Sequence, residues 1–263
     1  MAAGRPRAFD AHLHVIDPRF PLVPNRGYVP GPFTVDDYRA RTATLGVVGG
    51  TVVSGSFQAF DQAYLLDALE RLGPGFVGVT QLPATVTDEQ VAELDARGVR
   101  AVRFNLYRGG SEGLDQLEHL GRRVADLAGW HVELYVDARD LPELAPRLVR
   151  LPRLSVDHLG LSRAGLPALL ALVERGARVK ASGFSRGDLD VPAALRAIDA
   201  ASPDALMFGT DLPSTRAPRP FADEDLELVL DTLGDDHGRR ALHDNAAAFY
   251  LASPPRGRRP PSG

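Results

Sequence analysis

The chain has 263 residues, 44% of them hydrophobic and 24% charged, with a formal net charge of −4 and no cysteine. That is the composition of a globular protein long enough to bury a large core. The charge argues against a nucleic-acid binder, and the missing cysteines exclude disulfides, thiolate metal sites and a cysteine nucleophile.

In chain order, residues Met1 to Ala8 lack the apolar core of a signal peptide, and no run of about 18 apolar residues follows that would span a membrane. A cytoplasmic protein is expected. Ala8 to His14 reads as a first strand, ending in Asp10-Ala11-His12-Leu13-His14. Strict alternation would point Asp10, His12 and His14 to one face. Residues Asp17 to Phe33, rich in Pro and Gly, read as a long loop, and a loop of that length usually has a function. Thr34 with Asp36 and Asp37 reads as a helix start running to about Leu45.

A regular rhythm follows. Strands are expected at Val47 to Val53, Phe76 to Thr80, Val99 to Phe104, Trp130 to Val136, Leu154 to His158, Ala177 to Ala181 and Leu206 to Thr210. Helices are expected at Asp61 to Leu72, Thr87 to Arg97, Leu114 to Ala128, Leu141 to Val149, Leu166 to Arg175 and Pro192 to Ala200. Two more helices follow, near Asp223 to Leu233 and His237 to Leu251. Residues 253–263, rich in Pro, Arg and Gly, read as a disordered tail. Several strands are almost wholly apolar, as buried parallel strands should be. Roughly eight strand–helix units over residues 1–252 predict one α/β domain, a (β/α)8 TIM barrel with extra C-terminal helices. An open doubly wound sheet is the alternative, but it would want a glycine-rich phosphate loop after the first strand.

A barrel of this kind carries its function at the C-terminal ends of its strands. The polar residues expected there are His12 and His14, Arg103 and Asn105, Tyr135 and Asp137, Asp157 and His158, Lys180 and Ser182 with Arg186 beyond, and Thr210 and Asp211. Three histidines and one aspartate, from the first, sixth and eighth strands, would converge on one mouth. Asp10 would brace His12 or the barrel floor. His119, His131, His237 and His243 are expected to play no part.

These residues resemble the amidohydrolase superfamily, in the branch called amidohydrolase 2, and within it the 2-pyrone-4,6-dicarboxylate lactonases and their sugar-lactonase relatives. The resemblance runs from about Phe9 to Tyr250. It is carried by the motif at 10–14, Phe20-Pro21 leading to Arg26-Gly27-Tyr28, the stretch Gly98 to Asn105, Gly129-Trp130-His131-Val132, Val156-Asp157-His158-Leu159-Gly160, and Gly209-Thr210-Asp211-Leu212-Pro213.

The resemblance implies a hydrolase opening a lactone or related cyclic ester. His12, His14, His158 and Asp211 are the potential metal ligands, and zinc suits three imidazoles and a carboxylate. Two metals are not expected, because Lys180 lies on the seventh strand, not the fourth. The lactonases are taken to work without a divalent metal, so either no cofactor or a single zinc is expected. Asp211 is the expected base and later acid, His158 and Arg103 the stabilisers of the oxyanion, with His12 and His14 beside them. Arg103, Tyr28, Tyr135 and Arg186 resemble the lactonase residues that grip substrate carboxylates.

Leu159-Gly160-Leu161-Ser162 stands where the lactonases have an arginine, the basic residue in Leu106-Tyr107-Arg108-Gly109-Gly110 is out of register with theirs, and the loop between Ala181 and Pro192 is short; together these departures point to a less acidic lactone or ester than a dicarboxylate. The expected partner is a small molecule, with no nucleic acid or membrane, and the expected state is a monomer or homodimer. The other readings are a mononuclear-zinc decarboxylase of the same superfamily, a biosynthetic cyclase or dehydratase on the same barrel, and a non-enzymatic ligand-binding barrel. The absence of histidine from Leu159 to Thr210 argues against the decarboxylase.

Overall fold

The computed structural model describes residues 6–251. The tail expected from residue 253, and most of the N-terminal stretch read for a signal peptide, lie outside the described residues.

Eight parallel strands follow one another in chain order around a nearly closed barrel: β1 (Ala8–Leu13), β2 (Val47–Val53), β3 (Phe76–Thr80), β4 (Val99–Asn105), β5 (His131–Tyr135), β6 (Leu154–Val156), β7 (Arg178–Ala181) and β8 (Leu206–Phe208). Between them run α1 (Val35–Thr42), α2 (Ala63–Leu72), α3 (Asp88–Ala96), α4 (Leu117–Ala128), α5 (Leu141–Leu148), α6 (Leu166–Val173) and α7 (Val191–Ala201). Helices α8 (Asp223–Arg239) and α9 (Asn245–Leu251) close the chain. The expected TIM barrel is therefore what forms.

Local chemistry explains the helix ends. Thr34 and Thr87 each cap a helix by accepting the backbone N–H three residues on, and Asp37 and Gln90 return the bond. Gly129 ends α4 in the left-handed region at φ 70°. The helices differ from expectation at the end of the chain, where no gap separates the last two. Helix α8 continues past a non-helical Gly234 (φ 76°) and passes through a π-turn at Arg240–Asp244 into α9.

The main core lies between the strands and the surrounding helices. A second cluster fills the lower barrel: Phe9, Ala11, Val53, Val77, Val79, Ala101 and Met207 pack against Ala246, Phe249 and Tyr250 of α9. Phe9 and Tyr250 stack with ring centroids 5.9 Å apart. His131, expected on this side, packs tilted against Phe249 and edge-on against Tyr250.

Two details shape the mouth. First, β1 carries a bulge. Asp10 pairs with Gly50 and Leu13 with Val52, so three steps along β1 oppose two along β2. The alternation breaks there, and Asp10 does not share a face with His12 and His14 as strict alternation predicted. Its carboxylate turns outward to α1, where it accepts the Tyr38 hydroxyl at 3.0 Å. Second, the barrel closes above β8 rather than along it. Asp211 N donates to His12 O at 2.7 Å, and His14 N donates to Leu212 O at 2.8 Å. Gly209 permits this approach, because a Cβ there would lie 2.8 Å from His12 N. Asp10 fastens the same seam, accepting Thr210 N at 2.8 Å, Thr210 Oγ1 at 2.7 Å and His12 N at 3.2 Å. Asp10 thus braces the backbone of His12.

Candidate active site

Strands six and eight end earlier than the sequence suggests, at Val156 and Phe208. His158 and Asp211 consequently sit in turns, both in the left-handed region, at φ 51° and 59°. A non-glycine residue held there stores strain of about 1–3 kcal/mol, and for Asp211 the two backbone bonds across the seam hold it in place. Gly183 permits the turn that receives His158, since a Cβ there would lie 2.7 Å from its Nδ1.

The structure brings His12, His14, His158 and Asp211 together, all buried. The rings of His12 and His14 meet edge-on at 5.0 Å, and those of His12 and His158 lie 4.6 Å apart. Asp211 Oδ1 is 3.9 Å from Nε2 of both His12 and His14. Neither Asp211 Oδ1 nor His12 Nε2 has a hydrogen-bond partner among the described residues. The other oxygen, Oδ2, accepts Arg186 Nε at 2.6 Å. Burial raises the Asp211 carboxyl above its ordinary range, against the pull of Arg186. Burial is also the first cause that keeps the imidazoles neutral. It lowers His14 to about 3, helped by Arg103, and it holds His12 and His158 well below 6.5.

Beneath these residues lies a charged layer, in which Glu133 is the member that sequence reasoning missed. Lys180 is wholly buried, with Nζ 2.5 Å from Glu133 Oε2, 3.2 Å from His12 Nδ1 and 3.5 Å from Asp157 Oδ1. Arg103 NH2 donates to Asp157 Oδ2 at 2.6 Å, and its NH1 to Ser54 O at 2.8 Å. Two cations and two carboxylates therefore balance inside the barrel. Burial and the neighbouring Asp157 raise Glu133 to about 7. Arg103, Arg186, Asp157 and Lys180 stand in the sequence as strand-end residues, but Glu133 sits mid-strand. The available signal was a charge inside the otherwise apolar run from Val132 to Tyr135.

Above the layer opens a pocket. Its walls include His14, His158, Tyr28, Tyr135 and Asn105, together with four arginines: Arg103, Arg108, Arg186 and Arg216. The Tyr135 hydroxyl is buried and has no hydrogen-bond partner among the described residues. Arg216 stacks over the Tyr28 ring at 4.2 Å and donates to Asn25 Oδ1 at 3.0 Å, which ties the loop after β8 to the long loop after β1. Arg103 and Arg186 reach the pocket already bonded to Asp157 and Asp211. Among the described residues neither Arg108 nor Arg216 lies in an ion pair with a carboxylate, so the rim carries the uncompensated charge. Where Leu159 to Ser162 offer no arginine, the wall gains its charge elsewhere. Arg108 and Arg216 supply positive charge from other loops.

The donor types suit one divalent ion. Nitrogens of His12 and His158 and an oxygen of Asp211 lie within 4.8 Å of one another, and His14 Nε2 points at the same carboxylate. His14 is held as a ligating histidine should be, with Nδ1 2.7 Å from the Val53 carbonyl. His12 is held differently, through Nδ1 by the Lys180 ammonium.

The comparisons agree with this geometry. The amidohydrolase family matches residues 9–251. A 2-pyrone-4,6-dicarboxylate hydrolase from Comamonas testosteroni is 35% identical over 158 residues, covering 58% of this chain but only 52% of that protein. A D-galactarolactone isomerase from Agrobacterium fabrum is 29% identical over 94% of this chain and 92% of its own length. A 4-sulfomuconolactone hydrolase from Hydrogenophaga intermedia is 29% identical over 93% and 89%. A solved structure from Agrobacterium tumefaciens superposes with a TM-score of 0.82 at 28% identity, covering 95% of this chain and 98% of that one. The chain belongs to the amidohydrolase family and is a hydrolase of that superfamily.

Proposed function

We propose that this amidohydrolase opens a lactone or related cyclic ester bearing an anionic group, with Asp211 as general base. The observation that carries the reading is the bare, buried Asp211 Oδ1, 3.9 Å from Nε2 of His12 and of His14, next to a pocket that His14 lines together with four arginines. The relatives named for pyrone dicarboxylate and sulfomuconolactone hydrolysis act on anionic lactones by name, which supports the substrate class.

The chemistry follows from the residues. The substrate's anionic group rests against the rim arginines, and its carbonyl faces His158 and the inner guanidiniums. Water attacks the carbonyl carbon while Asp211 Oδ1 takes one of its protons. The oxyanion that forms is stabilised by the surrounding donors, with Arg103, Arg186 and the Tyr135 hydroxyl within the same wall. Collapse breaks the ring carbon–oxygen bond, and protonated Asp211 returns its proton to the departing oxygen. The product is a hydroxy acid. If a divalent ion binds, His12, His14, His158 and Asp211 are the residues that would hold it, and it would supply Lewis-acid polarisation of the carbonyl.

The test is a panel of five- and six-membered lactones, with and without carboxylate substituents, followed by acid release in water enriched in 18O. Hydrolysis of the anionic members with one 18O entering each product is the expected result. Equal turnover of neutral lactones would remove the anionic requirement. Rearrangement without incorporation of 18O would replace hydrolysis by an isomerisation, the activity named for the Agrobacterium fabrum relative.

A further inference from the structure

His12 and His14 stand side by side, but each ring is held through its Nδ1 by a group of opposite character. The Val53 carbonyl, 2.7 Å from His14 Nδ1, only accepts. That nitrogen therefore carries the proton, and Nε2 keeps its lone pair. The Lys180 ammonium, 3.2 Å from His12 Nδ1, only donates. Bonded to that donor, the nitrogen would keep its lone pair, and the proton of the neutral ring would sit on Nε2. Asp157 Oδ1 lies 3.3 Å from the same nitrogen and pulls the ring toward the opposite tautomer, so ammonium and carboxylate compete for it. Lys180 has no solvent exposure, and Glu133 aims it at 2.5 Å.

We propose that the Lys180–Glu133 pair positions His12 as the Nε2–H tautomer, so that two histidines of opposite tautomer and Asp211 together seat the attacking water. The floor then offers one donor, His12 Nε2–H, and two acceptors, His14 Nε2 and Asp211 Oδ1. A water matches that set. It accepts from His12, donates one hydrogen to each acceptor, and keeps its second lone pair for the carbonyl carbon. The spans agree, since Asp211 Oδ1 is 3.9 Å from both Nε2 atoms, too far for a direct bond and suited to an oxygen bridging them. With both histidines in the same tautomer one hydrogen bond of this water would be lost. Lys180 touches no substrate in this scheme and acts only through His12.

The role in attack rests on the hydrolytic reading, but the tautomers do not, so the decisive experiment uses no substrate. Long-range 1H–15N correlation spectra of the metal-stripped protein, assigned with His12→Asn and His14→Asn, report which ring nitrogen bears each proton. The expected result is Nε2–H for His12 and Nδ1–H for His14. Nδ1–H on His12 in the wild type would overturn the proposal, whatever the enzyme hydrolyses. In the charge-balanced variant Lys180→Met/Glu133→Gln the His12 proton should move to Nδ1, facing Asp157. Once a lactone substrate is in hand, kcat should fall about 10–100-fold with KM nearly unchanged. An unchanged His12 tautomer in that variant would also overturn the proposal. The wild-type spectrum decides the matter even if the double variant does not fold.

Discussion

Arg186 Nε lies 2.6 Å from Asp211 Oδ2, so the arginine expected to grip substrate already holds the carboxylate expected to act as base. Its NH2 is fixed in turn by the Thr215 carbonyl at 2.9 Å. This leaves Asp211 with one occupied oxygen and one free one, and it fixes which oxygen faces the histidines. The arginine also opposes burial, which pushes the carboxyl above its ordinary range.

Replacing Arg186 with Met should therefore change the pH profile as well as the rate. Turnover requires ionised Asp211, so kcat/KM rises as pH climbs through its pKa, which burial places above the ordinary 3.8. Without Arg186 the charged form loses its partner, and the acidic limb must move to higher pH. The wild type should show no limb near 6.5, because the imidazoles of the site stay neutral, His14 down to about 3. A pH–rate profile of metal-stripped protein checks both statements. An unmoved limb in the variant would sink the role given to Arg186.

Asp211→Asn should remove the base while sparing the fold. Asparagine tolerates the left-handed conformation found here, at φ 59°. Turnover should fall by about 10²–10⁴, with the melting temperature nearly unchanged. A variant keeping a tenth of wild-type turnover would show that another group takes the proton.

Arg216→Gln tests the rim. Arg216 lines the pocket at its outer edge, stacked on Tyr28. A hydrogen bond to a charged group contributes about 1.5–3 kcal/mol. KM for a carboxylate-bearing lactone should accordingly rise by about one to two decades, with kcat little affected. A neutral lactone should be indifferent to the change. Equal loss on both would mean that the side chain only supports the loop.

Asp10→Asn should destabilise the protein. Four donors converge on this carboxylate: Thr210 N and Oγ1, His12 N and the Tyr38 hydroxyl. An amide turns an NH2 toward some of them, at a cost of about 1–3 kcal/mol for each buried donor left unsatisfied. The pH dependence has a definite sign. Burial raises Asp10 to about 6, above 3.8 in the unfolded chain. The wild-type contribution is thus complete below 3.8 and declines as pH rises through about 6. The stability gap between wild type and variant should narrow between pH 4 and 7 in urea melts, and a widening gap would contradict the assignment.

Much of this molecule can be read from its residues. The apolar strands and the caps at Thr34 and Thr87 announce the barrel, and the polar residues after its strands announce the mouth. Other features are set by packing that one-dimensional periodicity does not encode. The bulge in β1 sends Asp10 to Tyr38, because alternation assumes an unbroken strand. Glu133 sits mid-strand, and the neighbours that give it a role, Lys180 and Tyr250, come from strand seven and the last helix. Arg108 and Arg216 lie on loops whose meeting point depends on the whole fold, so the approach of Arg216 to Tyr28 and of both loops to Asn25 left no local mark.

The clasp between Asp10 and Thr210 joins residues 200 positions apart. Such a contact bears on the order in which the protein is made. While the chain leaves the ribosome, the first strand emerges with a carboxylate whose Thr210 partner has yet to be synthesised. The early strand–helix units can assemble beside one another, but the seam waits for nearly the whole polypeptide. The histidines on that strand acquire their aspartate at the same late moment. Closure of so distant a loop is intrinsically slow, and competence for chemistry should therefore be among the last properties the nascent chain acquires.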